Sequence, residues 1–330
     1  MNKKIIFFLE GSFHLQYLSV LIDDFDKNPS IDLSIITLQD LSTSNFKNTK
    51  IIIINKSEIA KTLLELQADY FITTTPGIGS TYFPKSKIFP TKSRPKYIYV
   101  FHSLVSPNEV YFKNSFYYFD FIFSPNQIIT NQLDHLTSKK TSIINTGYPL
   151  FLNNNTNVMM KETNGNVLIA PSWGDQNFLT NYEFMNKLIK YLKSKNLTIF
   201  IRPHVMTSES LILDMYKELT IDRSDSVQFN KYNYLFTDWS GIALEFFYYK
   251  KQKVFFVDSP KKIRRKMTKK EFNFELIEYK IRELIGEVIS YDFDLNNLDL
   301  KNLHIESDSY IESLFTPKFK IEEIYKILKI

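Results

Sequence analysis

Short apolar runs alternate with longer stretches of helical spacing along the first half of this chain, and this alternation constrains its fold more than any other feature. The runs predicted to form strands are 4–9, 33–37, 51–54, 70–73, 97–100, 121–123 and 142–145. Stretches with the spacing of amphipathic helices lie between several of them, at 15–25, 58–67 and 126–136. Strands and helices that alternate over short connections predict an α/β fold with a mostly parallel, doubly wound sheet.

The second half repeats this pattern after a polar, asparagine-rich stretch. Strands are predicted at 167–170, 197–201, 234–236 and 254–257, and helices at 183–195, 208–219 and 242–250. Beyond Lys270 the pattern favours helices alone, at 272–289 and 321–328. The 330 residues have room for two domains of about 150 residues each. We therefore expect a Rossmann-like domain at 1–152, a linker at 153–166 and a second domain at 167–330, with the terminal helices packing back on the first.

The composition excludes several kinds of site. The chain has no cysteine, which rules out disulfides, thiolate catalysis and cysteine-bound zinc. No apolar run approaches the roughly 18–20 residues that span a bilayer. Glu10 interrupts the apolar start, which favours a first strand over a signal peptide. The net charge of +5 is too small to indicate nucleic-acid binding, and a cytoplasmic protein is expected.

One short segment is strongly basic. Its residues are Lys261, Lys262, Arg264, Arg265, Lys266, Lys269 and Lys270. Such a cluster can bind an anionic membrane surface or a phosphorylated acceptor, and it is equally typical of a solvated loop at the start of a helix. The first interpretation predicts a protein bound peripherally to the inner face of the cell membrane.

Two motifs in the second half place polar residues where a predicted strand ends. Arg202-Pro203-His204 follows the run 197–201, and Thr237-Asp238-Trp239-Ser240-Gly241 follows the run 234–236. The carboxyl ends of parallel strands form the edge of a sheet where ligands bind. A cation, an imidazole and a helix N-terminus at that edge predict a phosphate or pyrophosphate site.

Several neighbouring residues have both a structural and a ligand-binding interpretation. Asp238 and Ser240 would cap the helix that starts at Ile242 even without a ligand. Glu245, one turn further on, would accept hydrogen bonds from ribose hydroxyls or only interact with the helix dipole. Ser172, in the loop 170–174 after the first strand of this half, is expected at the same edge.

The first half offers a matching set of groups at its own sheet edge. Gly11 follows the first strand, and Thr75 and Gly77 lie in a loop whose hydroxyls and glycines suit an acceptor or a phosphate. His102 follows the run 97–100. With His102 and His204 each at a sheet edge, a neutral imidazole would remove a proton from an attacking hydroxyl, and a second, protonated one would stabilise phosphate charge. A lone histidine at a strand end is also often structural, and His14, His135 and His304 look less suited to chemistry.

Five motifs together resemble the CDP-glycerol glycerophosphotransferase family, the teichoic-acid and capsule polymerases. They are Phe101-His102-Ser103, Gly147-Tyr148-Pro149, Ala170-Pro171-Ser172-Trp173, Arg202-Pro203-His204 and Thr237-Asp238-Trp239-Ser240-Gly241. The sequence departs from the usual family pattern at Ser103, where the family has glycine, and at Trp239 and Gly241, where it has tyrosine and serine. These departures leave the polyol and the nucleotide open.

The resemblance implies a GT-B fold, with two Rossmann-like domains facing across a cleft and the donor nucleotide held by the second. It makes His102 the base on the acceptor hydroxyl and His204 a contact to the donor pyrophosphate. Thr237, Ser240 and Gly241 would donate hydrogen bonds to the same phosphates. The donor implied is a CDP-polyol, with glycerol phosphate as the group transferred and CMP as the product. The acceptor implied is a glycan or lipid-linked polymer, with no cofactor required and the need for a divalent metal left open.

Two other functions fit the same residues. Arg-Pro-His at a strand end and a capped helix also suit a GT-B glycosyltransferase or a 2-epimerase that uses a nucleotide sugar. A non-catalytic protein that binds a surface polymer would use the basic segment as its working surface.

Overall fold

The computed structural model describes residues 2–41, 46–77, 94–112, 115–151, 165–174, 177–208, 216–263 and 275–330. The chain divides into two compact units. The first comprises Met1–Asn153, Arg264–Phe274 and Ser313–Ile330, and the second comprises Asn154–Ile263 and Glu275–Glu312. Of the linker expected at 153–166, only 165 and 166 fall within the described residues.

The first unit is built on a seven-stranded parallel sheet. Its strands are β1 (Lys3–Leu9), β2 (Ile31–Thr37), β3 (Lys50–Ile53), β4 (Tyr70–Thr73), β5 (Lys96–Val100), β6 (Phe121–Ser124) and β7 (Ser142–Asn145). They lie in the order β3-β2-β1-β4-β5-β6-β7, with every neighbouring pair parallel. Each of the seven apolar runs forms a strand, so the doubly wound sheet expected here is confirmed.

The second unit has a six-stranded parallel sheet. Its strands are β8 (Asn166–Ile169), β9 (Thr198–Ile201), β10 (Thr220–Ile221), β11 (Tyr234–Thr237), β12 (Val254–Val257) and β13 (Gly286–Ile289), in the order β10-β9-β8-β11-β12-β13. The prediction of helix through 289 is wrong, because Gly286–Ile289 pairs in parallel with all four residues of β12. The short strand β10 was not predicted.

Helices cover the sheets. In chain order the helices of the described residues are α1 (Leu15–Asp26), α2 (Ile59–Glu65), α3 (Pro107–Val110), α4 (Gln127–Leu133), α5 (Tyr182–Ser194), α6 (Ile242–Lys250), α7 (Ile277–Leu284), α8 (Ser309–Leu314) and α9 (Ile321–Leu328). The helix expected at 208–219 falls largely on 209–215, outside the described residues. None of the helices in the described ranges is long and apolar enough to cross a membrane.

The last helix belongs to the core of the first unit. Ile324 and Leu328 of α9 are fully buried in the same apolar cluster as β1 and α1. The Tyr70 hydroxyl donates to the Leu328 carbonyl at 2.8 Å, and Tyr325 donates to the Asp24 carboxylate at 2.6 Å. Burial of apolar surface stabilises the folded state by about 25 cal/mol per Å². Because its apolar side chains are buried in this core, α9 is an integral part of the first unit.

Both sheets have the same winding. In the first sheet, β2 and β3 are added on one side of β1, and β4 is then added on the other side of β1. In the second sheet, the same reversal occurs after β10, since β9 and β10 lie on one side of β8 and β11 lies on the other. Loops after the two strands that flank such a reversal diverge to opposite faces and leave a crevice for ligands. The loops after β1, β4, β8 and β11 are therefore the first places to look for a site.

Candidate active site

At the edge of the first sheet, the loops after β1 and β4 are joined by one hydrogen bond. The Thr75 hydroxyl donates to the Glu10 carboxylate at 3.2 Å. Burial raises the pKa of Glu10, while the Thr75 hydrogen bond and the charge of Lys56 partly oppose the rise. The hydroxyl of Thr75, predicted to bind substrate, is thus used to hold the two loops together.

The two glycines predicted at this edge also serve the fold. Gly77 has φ of 79°, and its N–H donates to the Ser115 carbonyl at 2.8 Å. Gly11 is buried, and a Cβ there would lie 2.6 Å from the Gln39 Oε1 and 2.7 Å from the Phe13 ring. Side chains of the protein fill the space beside Gly11, so packing requires glycine at that position. Substrate binding at the two glycines stays a prediction.

His102 lies directly beyond β5, half-buried, with its ring held by a buried tyrosine. Its Nδ1 is 3.2 Å from the Tyr99 hydroxyl, which in turn donates to the Tyr111 hydroxyl at 3.4 Å. Burial, followed by the neighbouring Tyr111, raises the pKa of Tyr99 well above its usual value, so the phenol stays protonated. Because Tyr99 gives its one proton to Tyr111, its oxygen accepts from Nδ1–H of His102. This assignment leaves Nε2 of the neutral imidazole as a proton acceptor.

The backbone of His102 is fixed from a second direction. The hydroxyl of Tyr148, a residue that is only 1% exposed, donates to the His102 carbonyl at 3.3 Å. Gly147 precedes it with φ of 89° and lies against the backbone of Pro317, Lys318 and Phe319, where a side chain would not fit. The Gly147-Tyr148-Pro149 motif therefore supports His102. The adjacent Ser103 uses its hydroxyl to accept from the Val105 N–H at 3.3 Å.

His14 is the residue at this edge that the sequence interpretation passed over. Its ring centroid lies 6.1 Å from that of His102, and Tyr17, one helical turn further on, lies 5.4 Å from the His102 ring. Nδ1 of His14 accepts from the Glu10 N–H at 3.4 Å, which places the proton of the neutral ring on Nε2. Burial, followed by the charge of His102, lowers the pKa of His14 to about 3. Its place directly after β1, at the reversal of the sheet, was the signal that could have revealed it.

At the edge of the second sheet, Asp238 joins three loops. One carboxylate oxygen accepts from the Ser172 N–H at 2.6 Å, and the other accepts from the Ser172 and Ser259 hydroxyls at 2.9 and 3.0 Å. Asp238 is 1% exposed. It does not cap the following helix; it braces the loops after β8, β11 and β12. Asp238 and Ser172 thus have a structural role here, and the ligand-binding roles expected of them stay predictions.

Ser240 and Gly241 lie directly before α6, as the sequence indicated. The Ser240 hydroxyl accepts from the Ile242 N–H at 3.5 Å, and both residues are half-buried at the sheet edge. Thr237, expected to face phosphates, is fully buried and donates its hydroxyl to the Ala170 carbonyl at 2.6 Å. Glu245 is 8% exposed and lies near Tyr249, whose pKa burial and the Glu245 charge raise to about 12. Within the motif, Thr237 and Asp238 are buried, while Trp239, Ser240 and Gly241 are half-buried.

The Arg-Pro-His motif divides between two directions. Arg202 turns toward β10, where its Nη1 is 3.4 Å from the Asp222 carboxylate and donates to the Ser224 hydroxyl at 3.1 Å. The turn that contains His204 is attached to the loop after β8, since Thr207 in this turn donates to the Gly174 carbonyl at 3.3 Å. Nδ1 of His204 accepts from the Met206 N–H at 3.2 Å, so the neutral ring carries its proton on Nε2.

The described part of the basic segment is directed inward. The Lys261 side chain is 9% exposed and lies 3.7 Å from the Glu278 carboxylate. Lys262 donates to the Trp173 carbonyl, and its Nζ lies 5.1 Å from the centre of the Trp173 ring. Lys261 and Lys262 therefore make contacts within the second unit, and the membrane contact expected of them stays a prediction. Arg264, Arg265 and Lys266 fall outside the described residues.

Among the residues that the structure describes, no group of three or more histidine, aspartate or glutamate side chains is placed to hold a metal ion. That no cofactor is required stays a prediction, and the need for a divalent metal is left to the assay below.

The sequence profile of one family covers nearly the whole chain. The family is described as CDP-Glycerol:Poly(glycerophosphate) glycerophosphotransferase, and its profile matches residues 3–299, a span that includes every motif discussed above. The chain belongs to this glycerophosphotransferase family. The predicted membership, and with it the prediction of an enzyme of the transferase class, are confirmed at the level of the family.

A curated relative and several solved structures are similar to this chain. The teichoic acid poly(glycerol phosphate) polymerase of Bacillus spizizenii is 27% identical over 160 residues, which span 42% of this chain and 41% of that polymerase. The wall teichoic acid polymerase TagF is similar in structure with a TM-score of 0.54 and 14% identity, over 87% of this chain and 76% of that one.

Two further structures of nucleotide-bound proteins extend the likeness over the full chain. The S. aureus MnaA–UDP structure has a TM-score of 0.61 at 14% identity, covering 99% of this chain and 96% of that one. A Methanocaldococcus jannaschii UDP-GlcNAc 2-epimerase has a TM-score of 0.57 at 16% identity, covering 100% and 99%. At such identities the likeness shows the fold alone, and it confirms the GT-B-like class.

Proposed function

We propose that the chain transfers glycerol phosphate from CDP-glycerol to a hydroxyl group of a teichoic-acid-like or capsular polymer and releases CMP. The family description supports the donor and the group transferred. The name of the curated relative supports a poly(glycerol phosphate) product. The acceptor in this proposal is the hydroxyl end of a glycan or lipid-linked polymer, the enzyme works at the cytoplasmic side of the membrane, and nucleic acid has no part in it.

The observation that carries the proposal is the setting of His102. A half-buried imidazole beyond β5 is fixed at its backbone by Tyr148 and at Nδ1 by Tyr99. This arrangement presents Nε2 as the proton acceptor. A base held in one tautomer and one orientation is what general-base catalysis on a hydroxyl requires.

The chemistry assigned to His102 is proton removal during phosphoryl transfer. The acceptor oxygen attacks the phosphorus that bears glycerol and forms a new P–O bond. The P–O bond to the bridging oxygen breaks, and its electron pair leaves with CMP. The acceptor proton passes to Nε2 of His102. Positioning and charge stabilisation supply most of the acceleration in such transfers.

The second unit is assigned the donor phosphates. The start of α6 at Ser240-Gly241 carries the positive end of the helix dipole, which favours phosphate oxygens. His204, with its proton on Nε2, supplies a further hydrogen-bond donor. Arg202 is already paired with Asp222, so it contributes less to phosphate binding than the sequence suggested.

CMP release from purified protein with CDP-glycerol and a poly(glycerol phosphate) acceptor tests this function. His102→Asn is expected to lower kcat by about 10²–10⁴-fold because the general base is lost. His135→Asn, an exposed histidine of the same unit, is the matched control. His204→Gln is expected to raise KM for CDP-glycerol, with His304→Gln as its control in the second unit.

The same assay separates the competing functions. UDP release or epimerisation of a UDP-sugar, with no CMP release from CDP-glycerol, would assign the chain to nucleotide-sugar chemistry. Unchanged turnover in His102→Asn would remove the base from the proposal. Addition of EDTA and of Mg²⁺ to the wild-type reaction measures the dependence on a divalent metal.

A further inference from the structure

A stack of cations and aromatic rings lies beside the start of α6 in the second unit. The Arg282 guanidinium carbon is 3.9 Å from the centre of the Trp239 ring. Lys261 Nζ lies 5.4 Å from the Trp239 ring and 4.6 Å from the Tyr279 ring, and these two rings meet edge to face at 5.1 Å. At such distances a cation is attracted to the face of an indole or phenol.

Trp239 is held on several sides by this stack. Its Nε1–H donates to the Ser259 carbonyl at 2.7 Å, and one ring face is covered by Arg282. Arg282 is itself fixed, because its Nη2 lies 2.7 Å from the Asp258 carboxylate. The indole therefore has one orientation, set by the loop after β12 and by the last turn of α7.

Burying Arg282 in this stack is energetically unfavourable compared with apolar packing. Arg282 is 5% exposed, and its Nη1 is buried with no hydrogen-bond partner among the described residues. A buried charge with an unsatisfied donor costs free energy, and apolar residues of the same size often stabilise a core equally well. Packing alone does not account for an arginine at this position. Its rigid planar group instead fixes the geometry of the ring on which it stacks.

Trp239 leads directly into Ser240 and Gly241, the first residues of the helix end assigned to the donor phosphates. We propose that Arg282 is a positioning residue for that site: by clamping Trp239 it sets the direction of the Ser240-Gly241 turn. The inference rests on the proposed function, which assigns the donor phosphates to this helix end and names the nucleotide. Lys261, which lies against the same ring, is held in turn by Glu278, whose carboxylate is 3.7 Å from its Nζ.

The proposal is tested by binding and kinetics on the full-length protein. Arg282→Met is expected to raise the Kd for CMP and the KM for CDP-glycerol about tenfold, with kcat changed by less than about threefold, because phosphate positioning is lost while His102 is untouched. Arg282→Lys keeps the charge without the planar stack and is expected to recover only part of the affinity. Trp239→Phe combined with Arg282→Met is expected to be no weaker than Arg282→Met alone, since both act through one ring.

Lys253→Met is the matched control, because Lys253 is a half-buried cation paired with Glu287 at 3.3 Å on the opposite edge of the same sheet. It is expected to leave the Kd unchanged whatever it does to the melting temperature. If Arg282→Met lowers the melting temperature but leaves Kd and KM at wild-type values, the positioning role is refuted.

Failure of the proposed function is distinguishable from failure of this inference. A wild-type protein that binds UDP but neither binds CMP nor turns over CDP-glycerol refutes the proposed function, and the Arg282 comparison is then made with UDP. A wild-type protein that binds neither nucleotide refutes both.

Discussion

His14 is expected to make the stability of the first unit fall as the solution becomes acidic. The buried ring has its pKa lowered from about 6.5 to about 3. The unfolded chain, with an ordinary histidine, therefore binds a proton at a higher pH than the folded chain does. Stability from this group is fully present above pH 6.5 and is lost progressively as the pH falls toward 3.

The size of the effect follows from the shift. Between pH 7 and pH 5 the unfolded histidine becomes almost fully charged while the folded one stays neutral, and each pKa unit corresponds to about 1.4 kcal/mol. The first unit should lose about 2 kcal/mol over this interval on account of His14 alone. Because His14 is only 5% exposed, little of this is screened by solvent.

His14→Asn removes the titration while its side-chain oxygen replaces Nδ1 as the acceptor for the Glu10 N–H. Urea titrations at pH 7 and pH 5, followed by hydrogen exchange of peptides from β1 and β4, report the free energy of opening of the first unit. The wild type should lose about 2 kcal/mol more than His14→Asn between the two pH values. The exposed His135→Asn should behave as the wild type does.

NMR of ¹³C-labelled histidine gives an independent measurement. The His14 ring signal, assigned by its absence in His14→Asn, should not titrate above pH 5. A midpoint near 6.5, or an equal loss of stability in the wild type and His14→Asn, would show that the ring is not kept neutral by burial.

Two further predictions concern buried groups. Asp238→Ala should destabilise the second unit by about 3 kcal/mol or more, since Ser172 and Ser259 lose the acceptor for three buried hydrogen bonds. Asp238→Asn should retain most of the stability. Equal chemical denaturation curves for the two variants would contradict the bracing role. Ile324→Ala should destabilise the first unit by about 2–5 kcal/mol through the cavity it leaves. If peptides of β8 and β11 lose protection from hydrogen exchange instead of peptides of the first unit, the placement of α9 is contradicted.

The strands could be predicted because each is a short apolar run. β12 is Val-Phe-Phe-Val and is buried throughout, as strands of parallel sheets are. β13 was missed because Gly-Glu-Val-Ile follows a helix directly and has no run of its own. Only its pairing with β12 makes it a strand, and that partner is distant in the sequence.

The edge of each sheet was predictable, but the direction of individual side chains was not. Spacing placed Thr237, Asp238 and Ser240 at the carboxyl end of one strand; Thr237 is the last residue of β11, and Asp238 and Ser240 follow it in the loop. Sequence alone does not show that the Thr237 hydroxyl is satisfied by Ala170, or that Asp238 binds Ser172 and Ser259. His14 was passed over because the approach of the β1 loop to His102 depends on the sheet order.

The position of α9 in the first unit has a consequence for synthesis. Of the elements described, β1 is synthesised before the others, yet the helix that covers part of the β1 and α1 core is synthesised after all of them. All residues of the second unit have been synthesised before Ile324 and Leu328 appear. The unit that is begun first is thus the one that is completed last, and its apolar face must avoid aggregation while the other folds.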